Sequence, residues 1–414
     1  MRVAIIGTGI SGLVAAHLLQ KRHEVVVFEA NNYAGGHTNT VRIELKEGSY
    51  AVDTGFIVFN EQTYPNFLKL IRSLNVAYKP TEMSFSVRCE ITGLEYRPTI
   101  SSLLFGQPRN LLRPSFYKMA SEIFRFRRES EQFLRKSHES ITLGMYLSEK
   151  RYSPLFVDKF LIPIGAAIWS ADPERFKEFP LKSFSQFFRN HGILYPWNQP
   201  QWFVIDGGSQ RYVEKLTQSF RDRIRLNCAV DFIQRHPDHV LVKSGGLESE
   251  RFDSVVIATH SDQALRMLSD PSDEESEILS AIPYQENVTL LHSDDSILPK
   301  RRVSWASWNV LIPRTEAGRP FLTYNMSILQ QIKAPVQFCV SLNLERFIDP
   351  GKVFKNILYH HPVFNSSGFG AQARWPEING VNRTYYCGAY WGYGFHEDGV
   401  KSGLEVAKRF GEAL

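Results

Sequence analysis

Short unbroken apolar runs rich in β-branched residues punctuate this chain, and between them apolar positions recur at helical spacing. Val3 to Ile6 and Val25 to Phe28 are two such runs, the pattern of parallel strands buried on both faces. Between them Leu13, Ala16 and Leu19 share one side of a helix predicted from about Ser11 to Lys21. Alternation then predicts strands over Thr40 to Leu45 and Tyr50 to Phe59, with KEGS as the turn between them. Phe67, Leu70, Ile71 and Leu74 form the inner face of a helix from Tyr64 to Leu74, and Tyr78 to Tyr96 alternates again as strand. Helical spacing returns over Thr99 to about Lys136 and over Ser153 to Ala171. From Phe203 to Gln263 the order is strand, Gly-Gly turn, helix, then a pair of strands turning at about His236 to Asp238. A buried strand at Ser254 to Ala258 follows and opens into a loop and helix. Val288 to His292, Trp305 to Ile312 and Val336 to Leu342 predict strands of a second sheet. A strand at Thr384 to Cys387, a loop rich in glycine and aromatic residues, and a helix from near Asp398 and Gly399 close the chain.

The first strand–helix–strand unit carries chemistry. Gly7, Gly9 and Gly12 follow the strand in the G-x-G-x-x-G pattern, and Glu29 ends the second strand. Gly7 permits the tight turn, Gly9 lets a pyrophosphate approach the backbone, and Gly12 lets the helix pack closely on the sheet. The helix start at Ser11 offers unpaired N–H groups and a positive dipole end to the phosphates. Glu29 can accept from both hydroxyls of an adenosine ribose and repels a 2′-phosphate, so the signal is for FAD or NAD rather than NADP. Gly36 then makes a permissive turn, and His37 and Thr38 can donate to phosphate. Gly55, within VDTGF, either allows close approach to a planar ring or is a bulge glycine.

Composition narrows the partners. Charged residues make up 22% and net charge is +5, so nothing calls for nucleic acid. Cys89, Cys228, Cys339 and Cys387 are scattered without a C-x-x-C, which argues against a zinc site, any other metal centre or a disulfide framework and fits a cytoplasmic chain. With the nucleotide pattern starting at Val3, a leader segment is not expected, and no uncharged apolar run reaches the roughly 18 residues of a membrane span. The segment RNLLRPSFYKMASEIFRFRRESEQFLRK interleaves Leu112, Phe116, Met119 and Phe124 with an excess of Lys and Arg. It reads either as a solvated helix with a core face or as a surface resting on anionic lipid at the inner face of the membrane.

One glycine turn of this kind serves NAD or FAD alike. What discriminates is the closing helix, whose first turn, expected around Gly399 and Val400, presents a second set of N–H donors. A helix start aimed at the C2 carbonyl of a flavin stabilises its reduced, negatively charged form.

Taken together the three blocks resemble the flavin amine oxidase, phytoene desaturase and protoporphyrinogen oxidase superfamily. GGHTNT, VDTGFIVFNEQTYPNF, MSFSV, IPIGAAIWS and YWGYGFHEDGVKSG are similar to the bacterial predicted NAD/FAD-binding oxidoreductases that accompany cyclopropane-fatty-acid synthases. The resemblance implies an α/β fold in which a Rossmann-type, GR2-like FAD-binding domain is interleaved with an α+β substrate domain carrying a mixed or antiparallel sheet. Residues 1–75, 200–268 and 380–414 would form the first, and 76–199 and 269–379 the second, with a helical, membrane-facing part. Gly7, Gly9, Ser11, Gly12 and Glu29 would hold the ADP half of FAD. Gly36, His37, Thr38 and Gly55 would line the pyrophosphate and flavin edge, and Val230 would read adenine through its backbone. Gly388, Gly399 and Val400 would face the flavin. Two departures stand out: amine oxidases usually have Arg where His37 stands, and an acid where Ala389 follows Gly388.

Flavin oxidation needs a C–H bond held near N5 in a dry cavity, and a base only where a second proton leaves. His396 and Glu397 are the candidate bases, the alternative being a cap and a dipole partner at the helix start. Lys300 stands where some oxidases place a lysine near N5, although LPKRR also reads as a solvated turn. Tyr390, Trp391, Tyr393 and Trp169 would wall a flat apolar channel, or pack as core. The expected function is an FAD-dependent oxidoreductase that oxidises or desaturates a lipid acyl chain. The alternatives are an amine oxidase and a non-catalytic FAD-bound partner of a cyclopropane-fatty-acid-synthase-like methyltransferase.

Overall fold

The computed structural model describes residues 1–97, 107–136, 141–169, 173–190, 200–246, 248–315 and 320–414. The apolar runs build a five-stranded, all-parallel sheet. Its order is Ile224–Arg225, Glu24–Phe28, Arg2–Ile6, Ser254–Ile257, Thr384–Tyr386. Val3 pairs with Val25 on one side and Ser254 on the other, so the first strand is central and buried on both faces. The helix Ile10–Leu19 lies on one face of this sheet, and Leu13, Val14, Ala15, Ala16, Leu18 and Leu19 are all fully buried. A helix apolar on every side needs cover on every side. The helices Gln210–Thr217 and His396–Arg409 supply it. The opposite face packs on an antiparallel sheet of Val230–Arg235, Val240–Ser244 and Glu250–Phe252, and on the helices Ser261–Met267 and Asp273–Ser280.

The second sheet has seven strands in the order Val353–Pro362, Tyr284–His292, Cys339–Leu342, Phe321–Asn325, Trp308–Ile312, Phe85–Cys89, Leu94–Tyr96. Every junction is antiparallel except that of Trp308–Ile312 with Phe85–Cys89, so the sheet is mixed, and the expected fold class holds. Its aromatic core is covered by the helices Pro114–Lys136, Leu143–Glu149, Ile162–Trp169 and Leu181–Asn190. Among the described residues no helix is long and apolar enough to cross a membrane.

Several elements differ from the sequence reading. The expected strand RIRLNCAVDFIQR is two strands in two sheets. Asn227 takes a left-handed φ of 52° between them, and the Asn227 and Cys228 amides bond to the Asn31 and Glu29 carbonyls. The strand expected through Phe59 stops at Asp53, because the Thr54 and Phe56 amides turn to the Asn39 and His37 carbonyls. Tyr78 to Tyr96 is three strands. The first, Tyr78–Thr81, joins Trp202–Ile205 and Phe59–Asn60 in a small sheet between the two main ones. Ile278, Leu279, Ala371 and Ile378, counted above with the substrate unit, sit in the core beneath the parallel sheet. The closing helix starts at His396, three residues earlier than the glycine pattern suggested. Thr99 to Gly106, Ser170 and Ala171, all within expected helices, lie outside the described residues.

Candidate functional site

A cavity of about 1560 Å³ runs from the glycine turn to the aromatic core of the second sheet. That exceeds the roughly 300–1,000 Å³ of an ordinary ligand site and suits a large cofactor with a substrate beside it. At one end Gly7 holds φ 101°, and a Cβ there would stand 2.9 Å from the Ala258 carbonyl oxygen. A Cβ on Gly12 would stand 2.1 Å from the Gly7 carbonyl oxygen, which is the close helix–strand packing expected of it. Gly9 and Ser11 border the cavity, and nothing lies within 4 Å of where a Gly9 Cβ would be. Glu29 is buried, borders the cavity and is held by Thr8 and Asn31. Its Oε2 accepts from the Thr8 amide at 2.9 Å and the Thr8 hydroxyl at 2.5 Å, and its Oε1 from the Asn31 amide and side chain, both at 2.9 Å. Val230 borders the same end.

Further in, Thr38, Tyr212 and His396 form a buried relay. The Tyr212 hydroxyl lies 2.5 Å from Thr38 Oγ1 and 2.8 Å from His396 Nε2. The His396 ring stacks on Phe56 at 3.7 Å, and burial lowers its pKa to about 3, so it is neutral at physiological pH. Gly55 is packed under His37, since a Cβ there would stand 2.0 Å from the His37 carbonyl oxygen. Gly36, His37, Thr38, Gly55, Gly388, Tyr390, Tyr393, Trp169 and His396 all line the cavity.

Besides Gly12, which packs under the glycine turn, five other expected residues do not. Glu397 is turned away: its carboxylate accepts from the Asn66 amide at 3.1 Å, the Asn66 side chain at 2.7 Å and the Phe67 amide at 2.9 Å. It caps the helix Pro65–Ser73 and does not line the cavity. Lys300 is exposed beside the edge strand Leu94–Tyr96 of the second sheet, its amide directed at Glu95 at 3.4 Å, as its charged neighbours allow. Trp391 packs on Tyr390 and Trp375 at 4.9 and 6.4 Å. Gly399 and Val400 are buried against the first helix rather than the cavity. The Gly399 amide is already bonded to the Phe395 carbonyl at 3.1 Å, so the unpaired amides of this helix are those of its first residues, at His396 and Glu397.

The sequence reading missed a wall of histidines. His260, His360 and His361 join His37 on the cavity lining. His37 stacks on Tyr359 at 4.7 Å and stands 5.2 Å from His361 and 6.2 Å from His260, and His260 stacks on Tyr284 at 4.4 Å. Burial and mutual repulsion lower His37 to about 4, His260 to about 3 and His361 well below its ordinary value. The adjacent pair at 360 and 361 was the available signal, but only the sheet brings it to His37.

The other end of the cavity is apolar. Phe85, Phe160, Ile164, Trp169, Phe187 and Leu342 line it. The carboxylates among the lining residues are Glu29, Glu82 and Asp231. The first and last lie at the nucleotide end, and Glu82 is bonded to Arg97.

The glycine turn, the engaged carboxylate and the large two-ended cavity fit a flavin adenine dinucleotide. A family model described as "Flavin containing amine oxidoreductase" matches residues 10–327. An L-amino acid oxidase of Bothrops pictus is 26% identical over 282 residues, 65% of this chain and 55% of its own length. The chain thus spans about half the length of the curated relatives it matches. Among solved structures, cyclohexylamine oxidase from Brevibacterium oxydans IH-35A superposes with a TM-score of 0.69 at 18% identity, covering 99% of this chain and 98% of that one. The CLA-producing fatty acid isomerase from P. acnes superposes with 0.68 at 15%, with the same coverage. At those identities the likeness is one of fold.

Proposed function

This chain belongs to the family of flavin containing amine oxidoreductases, whose cofactor is FAD, and from that premise we propose that it oxidises or desaturates the acyl chain of a lipid. The apolar end of the cavity carries the proposal. Its side chains offer an alkyl chain a dry site of about the right chemistry, and its one carboxylate is neutralised by an arginine. Bound FAD supplies the hydride acceptor. Glu29, Gly9 and the first turn of the helix Ile10–Leu19 bind the nucleotide. Trp169 and Phe187, whose rings stand 4.5 Å apart, orient the chain and exclude water. His396, which lines the cavity and is held by Tyr212, is the candidate to take the second proton when a double bond forms.

Access fits the same reading. Ile123 and Phe124 of the helix Pro114–Lys136 line the cavity, while Phe124 is 50% and Leu112 85% exposed. This helix would lead an acyl chain in from an anionic lipid surface. The superposing isomerase is named for a fatty acid, so the fold accommodates such a chain.

Amine oxidation is the second reading, favoured by the names of the relatives. The test mixes the oxidised holoprotein anaerobically with fatty acids and phospholipid vesicles, then with amines and amino acids, and follows flavin absorbance. Bleaching by lipids alone supports the acyl-chain reading; bleaching by amines or amino acids alone replaces it. Should neither bleach the flavin while a lipid methyltransferase co-purifies with the chain, the role is that of a non-catalytic partner.

A further inference from the structure

Four imidazoles stand where the glycine turn opens into the cavity. His37 follows Gly36, whose Cβ position lies 3.0 Å from Gly9 Cα. His260 follows Thr259, whose methyl lies 3.4 Å from the Cβ position of Gly7. His360 and His361 arrive from the end of the strand Val353–Pro362. All four line the cavity. The positive end of the ten-residue helix Ile10–Leu19 faces the same space. His37 Nε2 is buried there without a hydrogen-bond partner.

We infer that His37, His260, His360 and His361 form a collar on the pyrophosphate of the cofactor, and that FAD enters with uptake of a proton onto this collar. The inference rests on the reading that the cavity holds FAD.

The orientation of one member can be deduced from the backbone outwards. The Val288 amide donates to Asn343 Oδ1 at 2.9 Å, which fixes that side chain. Asn343 Nδ2 then donates to Asn287 Oδ1 at 2.8 Å, which fixes Asn287. Asn287 Nδ2 therefore donates to His361 Nδ1 at 2.7 Å. Neutral His361 carries its proton on Nε2, leaving an N–H donor free of Asn287.

Charge around the collar is sparse. Glu286 lies 3.4 Å from His360 and is largely exposed outside the cavity. Arg266 is paired with Asp262 at 3.1 Å beside His260, and Lys355 is exposed on the strand that carries His360. Tyr284 and Tyr359 cover His260 and His37, and neutral His396 is the next imidazole inward. Without a ligand, burial and mutual repulsion hold His37, His260 and His361 uncharged at neutral pH. A pyrophosphate reverses that field. An opposite charge next to an imidazole favours its protonated form by up to roughly a thousandfold. That is enough to bring one imidazole of the collar up to near pH 7, while repulsion between the rings opposes a second. The bound state then holds more protons than the free state, so affinity rises as pH falls between the free and bound pKa values.

Calorimetric titration of FAD into the full-length apoprotein tests this, in two buffers of different ionisation enthalpy between pH 5.5 and 7.5. Uptake approaching one proton is expected at pH 5.5, falling to about half a proton near pH 7, with the dissociation constant rising by up to about tenfold per pH unit. In the variant carrying His260→Asn and His361→Asn, FAD still binds but the uptake falls. FAD binding by the unaltered chain with no proton uptake overturns the collar and leaves the cofactor reading standing. An apoprotein that takes up no FAD overturns both.

Discussion

The carboxylate of Glu397 caps a helix 330 residues away, accepting the Phe67 amide at 2.9 Å. That helix, Pro65–Ser73, has Tyr64 at its N-cap and no side-chain cap of its own. Two of its orphan amides, at Asn66 and Phe67, are satisfied by a residue from the first turn of the closing helix. Glu397→Ala is therefore expected to cost about 2 kcal/mol of stability through the lost remote cap. Flavin content and the flavin spectrum should stay unchanged. Urea unfolding of the holoprotein and its absorbance ratio check this, and a large loss of turnover with normal stability would restore Glu397 to the chemistry.

Glu29 tells the opposite story, because it borders the cavity it was expected to serve. Glu29→Ala removes the carboxylate proposed to accept from the adenosine ribose and frees Thr8 and Asn31, which it now holds. Hydrogen bonds to a charged group are worth about 1.5–3 kcal/mol, so FAD affinity should fall roughly 10- to 100-fold. Asn31→Ala, which leaves the carboxylate in place, should fall much less. Fluorescence titration of the apoproteins with FAD compares them.

These two carboxylates mark what local pattern can reveal. The glycine turn, the parallel strands and Glu29 were legible because their physics is confined to some thirty consecutive residues. Glu397 stands as a candidate base or a dipole partner in the sequence, and the structure turns it to another helix, because nearness in sequence to a helix start says nothing about which way a side chain points. The missing N-cap at Tyr64 was the available hint that a remote acceptor was needed. Lys300 failed on the same ground, with LPKRR predicting the exposure it has. Beyond the adjacent pair at 360 and 361 the histidine wall left no local mark, because His37 lies in a turn and His361 on a strand of the second sheet, and the two meet only when the chain has folded.

His292 is wholly buried, with Nε2 2.8 Å from Ser341 Oγ and Nδ1 accepting the Asp294 amide at 3.1 Å. Burial lowers its pKa to about 4. Unfolded, it titrates near 6.5. Between these values the unfolded chain binds the extra proton, so this contribution is complete above pH 6.5 and is lost as pH falls toward 4. The stability difference between the unaltered chain and His292→Asn should be flat above pH 6.5. Below it, the difference should shrink by as much as about 1.4 kcal/mol per pH unit. Urea titrations from pH 4.5 to 8 measure it, and a difference independent of pH would show that the fold leaves the pKa of His292 unshifted.

The closing helix reaches the first through glycine. A Cβ on Gly403 would stand 2.5 Å from the Ser11 carbonyl oxygen and 3.1 Å from Val14 Cβ. Neither neighbour can yield, since Ser11 and Val14 are buried in the helix below the cofactor site. Gly403→Ala should therefore cost about 1–3 kcal/mol as overpacking and shift the helix that carries His396. Loss of bound flavin should accompany the loss of stability. Gly370→Ala, on a helix where a Cβ would meet nothing within 4 Å, is the control expected to keep both.

The apolar end of the cavity can be tested by giving it the charge it lacks. Ile168 is half-buried on the cavity lining, near Trp169 and far from the glycine turn in the chain. Ile168→Glu places a carboxylate where an alkyl chain would lie. Keeping about three methylene groups from burial costs roughly 2.4 kcal/mol, so lipid turnover should fall about 50-fold. FAD content should not change, because no nucleotide contact is touched. The same carboxylate would attract an ammonium group, so amine turnover should hold or rise. Steady-state rates for one fatty acid and one amine, measured on both proteins at equal flavin content, separate the readings. Lipid turnover that ignores Ile168→Glu would mean the acyl chain does not enter this end of the cavity.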